Sequence, residues 1–393
     1  MKSIHLILAV TLFLMAGCEG CKNTGNGSDV FITVDVTASF PKKELILQNF
    51  MDVEYIAMET KDDFYNQGFI QDIGKEVILV RNHINDGDIF VYDRTGKALR
   101  KINRMGQGGE EYINILSITL DEDNGEMFVN DYYSKKFFVY DLYGKFKRSF
   151  RYNDGTKYLD VFNFDKNNLI CYDNSILERN GEVVNNLSCF AIISKQDGSI
   201  SREIQIPFKM IKSPITSFEG GKYAIFPSGN YSIIPYQGNW ILREASSDTV
   251  YRYSMDDRMS SFIVRTPSIQ SMNPEVFLFL RTLTDRYYFM ETLKKEYDFE
   301  TKRGYPRKFF MYDKQEKAFF GYNVYNGDFS SKREIYMNAL SPVNHEIASW
   351  QNLEADDLFD AYKKGHLKGK LKDIAASLKE EDNPVIMLVK HKK

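Results

Sequence analysis

The histidines are the residues of this chain best suited to acid–base or metal chemistry, and their spacing favours neither. They are His5, His83, His345, His366 and His391, and no two of them have metal-ligand spacing on one predicted strand or helix. No Gly-x-Ser-x-Gly segment supplies the nucleophile elbow of a hydrolase. The sequence therefore defines no reaction, and it favours a protein that is not an enzyme without excluding one.

A glycine-rich loop over residues 106–109 is the second feature with possible chemistry. A phosphate-binding loop needs a helix N-terminus directly behind it, usually with a Lys-Ser/Thr pair. This loop lies between two predicted strands and lacks that pair, so we expect a turn between structural repeats. Arg104 before the loop and Glu111 after it either pair across such a junction or face a ligand.

The N-terminal segment predicts export and a lipid anchor. Its apolar run over residues 4–15 is too short to span a bilayer and has the length of a signal-peptide core. The sequence Leu-Met-Ala-Gly-Cys over residues 14–18 resembles the bacterial lipobox, which implies cleavage before Cys18 and acylation of that residue. We expect a lipoprotein signal peptide over residues 1–17 and a flexible, lipid-anchored tether over 18–43. A plain signal peptide is the alternative.

The other cysteines leave two possibilities open. Cys21 lies in the tether and is a bystander or a second modified thiol. Cys171 and Cys189 either form a disulfide, which an extracytoplasmic compartment permits, or remain buried free thiols.

Composition narrows the class of protein. The 393 residues include 51 Lys and Arg against 54 Asp and Glu, a net charge of -3, so no broad basic field exists to hold nucleic acid. The chain also has 25 Tyr and 29 Phe, which favour strands, with 25 Gly and 10 Pro for turns. These proportions indicate a β-protein with a sizeable core.

The body of the chain repeats itself. A segment over residues 88–102 has a close copy over 136–150, and weaker copies begin at positions 190, 250 and 309. Each copy combines an apolar strand, a turn rich in Asp and Gly, and a second strand, which is the pattern of a β-hairpin. The turn positions 93, 141, 194, 254 and 313 are 48 to 60 residues apart. That spacing fits one four-stranded propeller blade with variable loops.

Five hairpins leave the two ends of the chain for one further blade. Residues 51–58 alternate as a half-buried strand does, and residues 383–389 are also strand-like. Pairing these ends would close a ring and hide its free edges. We therefore predict an all-β fold, a six-bladed β-propeller over residues 44–393.

A helical insertion is predicted within the closing blade, over about residues 352–382. The apolar residues with i, i+3, i+4, i+7 spacing are Leu371, Ile374, Ala375 and Leu378. That spacing is typical of an amphipathic helix. A shorter helix before it is expected to end at Gly365.

Residues 104–150 are similar to an NHL repeat, although the Gly-Pro-Gly-Glu usual in that family is replaced by Gly-Gly-Glu-Glu over residues 108–111. Together with the lipobox and the helical insertion, this makes the whole chain resemble the six-bladed β-propeller lipoproteins of gut Gram-negative bacteria. The resemblance implies a propeller, lipid-anchored in the cell envelope at the outer membrane. It implies no particular reaction.

Two related groups of propellers imply a metal-dependent alternative. Gluconolactonase-like propellers hold a central Ca²⁺ with Glu, Asn and Asp side chains from separate blades, and NHL-like lyases use zinc bound by histidine. The oxygen candidates are Asp72, Asn130, Asp131 and Asp173, and the histidine candidates are His83 and His345. Because Asp and Asn are common in the turns of any propeller, these residues alone do not define a site. A Ca- or Zn-dependent hydrolase or lyase with its site in the central channel therefore stays as the alternative.

The favoured hypothesis is a membrane-anchored extracytoplasmic lipoprotein whose propeller acts as a binding or scaffold module. Its expected partner is a peptide, a glycan or another envelope protein, with no cofactor and no nucleic acid. Tyrosines suit such contacts, although most Tyr and Phe should fill the space between blades. The long intervals over residues 174–187, 209–222 and 296–307 are expected to hold a lid or a docking loop.

Overall fold

The structure is a computed structural model that describes residues 31–392 apart from positions 62, 84, 186, 215, 219–221, 225–230, 299, 302 and 338–341. For residues 216–218 and 222–224 it describes the backbone alone. Six sheets form the blades of a β-propeller with a few helices near the C-terminus, which confirms the predicted fold class.

Three strands precede the first blade and join sheets that are completed later in the chain. They are β1 (Ile32–Asp35), β2 (Lys42–Ile46) and β3 (Asp52–Ala57). The next three sheets are four-stranded antiparallel blades. The first has β4 (Phe69–Ile73), β5 (Val77–Arg81), β6 (Asp88–Asp93) and β7 (Ala98–Asn103); the second has β8 (Ser117–Asp121), β9 (Glu126–Asp131), β10 (Lys136–Asp141) and β11 (Phe146–Arg151); the third has β12 (Tyr158–Asn163), β13 (Asn168–Asp173), β14 (Ser188–Ser194) and β15 (Ile200–Gln205).

A short hairpin leads from the third blade to the other half of the ring, and helices interrupt the last blade. The hairpin is β16 (Thr216–Phe218) and β17 (Lys222–Ala224). The fourth blade has β18 (Ile233–Tyr236), β19 (Asn239–Leu242), β20 (Thr249–Ser254) and β21 (Met259–Thr266). The fifth has β22 (Val276–Leu283), β23 (Tyr287–Lys294), the small hairpin β24 (Tyr297–Asp298) and β25 (Arg303–Gly304), β26 (Arg307–Asp313), β27 (Ala318–Asn326) and β28 (Arg333–Ile335). The closing blade has β29 (Ile347–Leu353), α1 (Ala355–Lys363), α2 (Gly369–Ala375) and β30 (Val385–Lys390).

The five repeated hairpins are the third and fourth strands of the first five blades, as predicted. At the first two turns a carboxylate shapes the chain: Asp93 accepts the N–H groups of Thr95 at 2.8 Å and Lys97 at 3.0 Å. Asp141 accepts those of Tyr143 at 2.8 Å and of the residue two further on at 2.9 Å. These contacts are local, so the turn sequence specifies them without help from the rest of the fold.

The ends of the chain close the ring, as predicted. β3 pairs antiparallel with β30, and β30 pairs antiparallel with β29. Before β29, Pro342 and Val343 lie against the channel, and the Asn344 side chain donates to the Ile73 carbonyl at 3.0 Å in the first blade. This segment takes the place that the first strand occupies in the other blades. The three hydrogen-bonded strands of the closing blade are therefore its second, third and fourth.

The two helices lie inside the predicted insertion. Leu358 of α1 and Leu371 and Ala375 of α2 are buried in one apolar cluster with β3 and β30. α1 is followed by Gly365 at φ +69°, a backbone conformation that side-chain-bearing residues rarely adopt. The apolar periodicity predicted a helix that extends to Leu378, but α2 ends at Ala375 and is therefore shorter.

The segment over residues 31–57, which we call the belt, runs along the outer edges of three blades. β1 adds to the fourth blade as a parallel strand beside β21, and β2 adds to the fifth blade parallel to β27. β3 then supplies the outer strand of the closing blade. The belt begins inside the predicted tether of residues 18–43, because Val34 and Val36 are buried against the fourth and fifth blades.

The two faces of the ring differ in the length of their connections. One face, here called the turn face, carries short turns between first and second strands and between third and fourth strands, such as 74–76 and 94–97. The opposite face, here called the loop face, carries the links between second and third strands and between blades. It holds the described parts of the long segments 174–187, 206–232 and 295–306, together with α1 and α2. Variation in loop length is thus confined to one face.

Candidate functional site

A cavity of about 580 Å³ occupies the channel and reaches the loop face. Its size falls within the range of ordinary small-ligand pockets. The first strands of the blades form its wall, and the ends of second strands form its mouth. Wall residues include Gln71, Asp72, Ser117, Thr119, Asp160, Val161 and Ser232, and mouth residues include Tyr132, Asn174, Glu178 and Ala245.

Aromatic side chains from several blades face this cavity. Phe69 and Trp350 meet edge to face with ring centroids 6.2 Å apart, at the junction of the first and closing blades. Phe162 and Phe279 contribute from the third and fifth blades. Flat apolar surfaces of this kind suit the rings of a ligand or the apolar faces of a sugar.

Two aspartates bridge neighbouring first strands around the cavity. Asp160 of β12 accepts the backbone N–H of Ser232 at 2.5 Å, and Asp72 of β4 accepts that of Leu120 at 2.8 Å. Burial raises the pKa of Asp160 to about 6 and that of Asp72 to about 7, against the lowering effect of these hydrogen bonds. Asp72 is only partly buried, and its exposed surface lies in the cavity.

One cation is enclosed in the wall. Arg243 follows β19 directly, is 5% exposed, and has its guanidinium 4.6 Å from the centroid of the Phe279 ring. Burial lowers the pKa of this arginine, an effect that the nearby acidic groups partly oppose. Arg243 was not predicted as a site residue, although a charged Arg-Glu pair directly after a buried strand is a usable signal.

Exposed apolar side chains stand on the loop face. They are Tyr65, Ile113, Tyr133 and Val183, from four different connections, and Tyr133 and Val183 are both 74% exposed. Scattered single residues of this kind are normal on a surface, but here they share the face on which the cavity opens.

The turn-face end of the channel is filled by two histidines. His345 lies against Trp240 with ring centroids 4.9 Å apart, and His391 lies 5.7 Å from Tyr236. Both imidazoles have a lowered pKa because burial disfavours their charged form. Among the described residues neither ring nitrogen of His391 has a hydrogen-bond partner.

The predicted metal ligands do not come together. Asp131 and Asp173 accept backbone N–H groups of their own turns, and Asn130 donates to the Tyr158 carbonyl at 3.1 Å. Asp72 alone of the oxygen candidates reaches the cavity wall. Within the described part of the chain, no three His, Cys, Asp or Glu side chains are grouped so as to hold a metal ion.

The histidine candidates also separate. His83 is exposed and stacks on Phe69 at 4.6 Å, whereas His345 lies at the turn-face end. The glycine-rich loop behaves as the predicted junction turn: Glu111 accepts the Gly108 N–H at 2.8 Å, and Arg104 donates to the Gly144 carbonyl at 2.8 Å in the next blade. Arg104 and Glu111 therefore each stabilise the junction by a hydrogen bond to the backbone.

The two described cysteines are free thiols, both buried. In the pairing of β13 with β14, Cys171 lies opposite Ala191 and Tyr172 lies opposite Phe190, so Cys189 is one position further along the strand. Cys171 and Cys189 belong to different apolar clusters on opposite faces of the third blade. A disulfide between them is therefore not formed. Cys18 lies outside the described residues.

The long loops predicted as lids contribute unequally. In the interval 174–187, the 3-10 helix Asn174–Arg179 brings Leu177 and Glu178 to the cavity. The interval 209–222 brings Pro214 there, and the interval 296–307 forms the β24–β25 hairpin. Among the described residues no helix is long and apolar enough to cross a bilayer.

Six blades around a channel that holds a ligand-sized cavity define a β-propeller of the kind that can carry a central binding site. The profile of the family called Domain of unknown function (DUF4934) matches residues 31–390, and the chain belongs to that family. No match was found among curated protein sequences.

Solved structures resemble this chain at low sequence identity. A candidate exported protein from Bacteroides fragilis NCTC 9343 is 16% identical, with a TM-score of 0.59 over 93% of this chain and 100% of the other. A member of the DUF4221 family from Bacteroides vulgatus is 10% identical, with a TM-score of 0.47 over 87% of this chain and 98% of the other. A virginiamycin B lyase from Staphylococcus aureus is 12% identical, with a TM-score of 0.37 over 86% of this chain and 99% of the other. The likeness to the first of these structures shows the fold alone, and no conclusion is drawn from the other two.

Proposed function

We propose that this protein is an extracytoplasmic lipoprotein, held by lipid on Cys18, whose propeller binds a ligand in its channel cavity. The cavity of about 580 Å³, open on the face that carries the long loops, is the observation behind the proposal. The ligand is a small molecule or an exposed part of a peptide, a glycan or an envelope protein. An outer-membrane location is part of the proposal.

Three features support a binding module. The cavity wall combines aromatic surfaces with a few polar groups, the composition typical of ligand pockets. The exposed apolar residues on the loop face would extend the contact beyond the cavity mouth. The first strands are tied to one another by side-chain bonds such as Thr119 to the Val161 carbonyl at 3.1 Å, so the wall is preformed.

The export and anchoring part of the proposal is supported by the lipobox and by the exported character suggested for the B. fragilis structure. Cys18→Ser protein should leave the membrane fraction, whereas Cys21→Ser protein, the matched control, should stay. Retention of Cys18→Ser protein after a carbonate wash would contradict lipid anchoring.

The binding part is tested by closing the cavity. Leu159 lies in the wall near the mouth and Leu99 lies on the outer strand β7, with similar exposures of 37% and 40%. Panels of short peptides and of oligosaccharides should give hits by thermal shift on the wild-type protein. Leu159→Trp should abolish these hits and Leu99→Trp should preserve them. Equal binding by both variants would place the site elsewhere and reject the channel.

A further inference from the structure

Arg243 is the most enclosed charged group on the cavity wall. Its side chain is 5% exposed, and within the described residues no carboxylate oxygen lies at ion-pair distance from it. Arginine is almost always charged, and a buried charge without a partner is costly. A group that compensates this charge is therefore expected in the occupied protein.

The hydrogen bonds of the guanidinium are incomplete. Nε donates to the Tyr231 carbonyl and one terminal nitrogen donates to the Ser232 hydroxyl, both at 3.4 Å, which is longer than the usual distance for such bonds. Nη1 is buried and has no hydrogen-bond partner among the described residues. A guanidinium has five N–H donors in a planar fork, so most of this donor capacity is unused.

Neighbouring charged groups are occupied elsewhere. Glu244 accepts the Tyr172 hydroxyl at 2.9 Å and the Ser246 hydroxyl at 3.0 Å. Asp160 accepts the Ser232 N–H at 2.5 Å, and Arg281 pairs with its own partner Glu291 at 2.5 Å. Glu244 and Asp160 partly offset the positive charge of Arg243 from a distance, but they accept no hydrogen bond from its guanidinium.

We propose that the channel cavity takes an organic carboxylate whose anionic group binds Arg243 and whose ring-bearing apolar body packs on the aromatic wall. This inference rests on the proposed function and names the chemical class of its ligand. The carboxylate accepts hydrogen bonds from the incompletely used donors of the guanidinium, in the fork geometry that arginine offers. The Phe279 ring lies against the guanidinium with its centroid 4.6 Å away, and Phe69, Phe162 and Trp350 provide surface for the rings.

The probes are 2-naphthoate and 2-naphthamide, which have nearly the same shape and differ in charge. Calorimetric titration of the wild-type protein at about neutral pH should show naphthoate binding at least tenfold more tightly than naphthamide. Arg243→Met should lose that preference while still binding naphthamide. Arg100→Met is the matched control, because Arg100 stacks on Tyr143 at 4.2 Å outside the cavity, and it should keep the preference.

The wild-type measurement does not depend on whether Arg243→Met folds. Equal binding of the two probes, or no binding of naphthoate, overturns the proposed carboxylate. A preference that survives in folded Arg243→Met overturns the role of Arg243. These failures differ from failure of the proposed function, in which Leu159→Trp leaves the peptide or oligosaccharide hits unchanged.

Discussion

The carboxylate of Asp160 accepts the backbone N–H of Ser232 at 2.5 Å across the junction of the third and fourth blades. Asp72 makes the same kind of bond with Leu120 across the junction of the first and second blades. Both aspartates lie on first strands, and both tie that strand to the first strand of the next blade. The channel wall is thus joined by side chains as well as by apolar packing.

Asp160 gives stability an unusual pH dependence. Its folded pKa of about 6 exceeds the ordinary value of about 3.9. The folded state therefore holds the proton more tightly, and this contribution to stability is complete below about pH 4 and is lost as pH rises through about 6. Asp160→Asn should remove that loss, whereas Asp154→Asn, in an exposed turn, should not change it. Urea unfolding at several pH values measures both, and parallel curves for wild type and Asp160→Asn would contradict the assignment.

The histidines at the turn-face end predict the opposite pH dependence, in which stability falls as the pH is lowered. Burial lowers the pKa of His345 and His391 below the ordinary value of about 6.5, although Asp285 partly opposes this at His391. Their contribution to stability is therefore complete above about pH 6.5 and declines as pH falls, because the unfolded state takes up the protons. His391→Leu should flatten the acid limb of the unfolding profile, while His366→Gln on the exposed surface should leave it unchanged. An unaltered acid limb in His391→Leu would refute this origin.

A buried ion pair connects the second and third blades. Lys195 Nζ lies 2.7 Å from an Asp121 carboxylate oxygen, and both side chains are at most 3% exposed. Removing one partner leaves the other charge buried, so Lys195→Met should cost about 3–5 kcal/mol. The double variant Lys195→Met/Asp121→Leu should recover part of that loss. The exposed pair of Lys75 and Asp123 is the control, and Lys75→Met should cost at most about 0.5 kcal/mol in denaturant titrations. A cost for Lys195→Met as small as that of the control would refute the prediction.

The two thiols should be inert in the folded protein. Burial raises the pKa of both Cys171 and Cys189 well above the ordinary value for a thiol, which removes the reactive thiolate. A chain beginning at residue 31 contains only these cysteines. An aromatic disulfide reagent should modify neither in buffer and both in concentrated urea. Rapid native modification of either thiol would contradict their burial, and failure to react in urea would indicate a disulfide.

Loss of β1 should weaken the fourth blade. Val34 and Val36 are 0% and 3% exposed, and burying a valine contributes about 1.5–3 kcal/mol, so a chain starting at residue 38 should lose roughly 3–6 kcal/mol. It would also expose the edge of β21, which favours association. Unfolding and light scattering, compared with a chain starting at residue 31, measure both effects. Equal stability of the two chains would show that β1 is dispensable.

The fold was predictable because its repeats are encoded locally. Asp93 and Asp141 each shape a hairpin turn through contacts within four residues, so the pattern survives in the sequence. The count of blades then followed from the two strand-like ends. The cavity was not predictable in the same way, because its lining residues, such as Asp160 and Arg243, belong to different blades and are brought to one channel only by the curvature of the ring. β1 and β2 were missed, since a parallel strand paired with a partner more than 200 residues away leaves no local signature.

The belt has a mechanical consequence for the proposed lipid anchor. A pulling force applied to the chain at residue 31 would load β1 first, then β2, and reach β3 last. β1 and β2 are additions to blades that already have four strands, whereas β3 holds the ring closed through β30. The first two strands would therefore give way before the closing strand, and tension from the membrane side would be absorbed before it could open the ring.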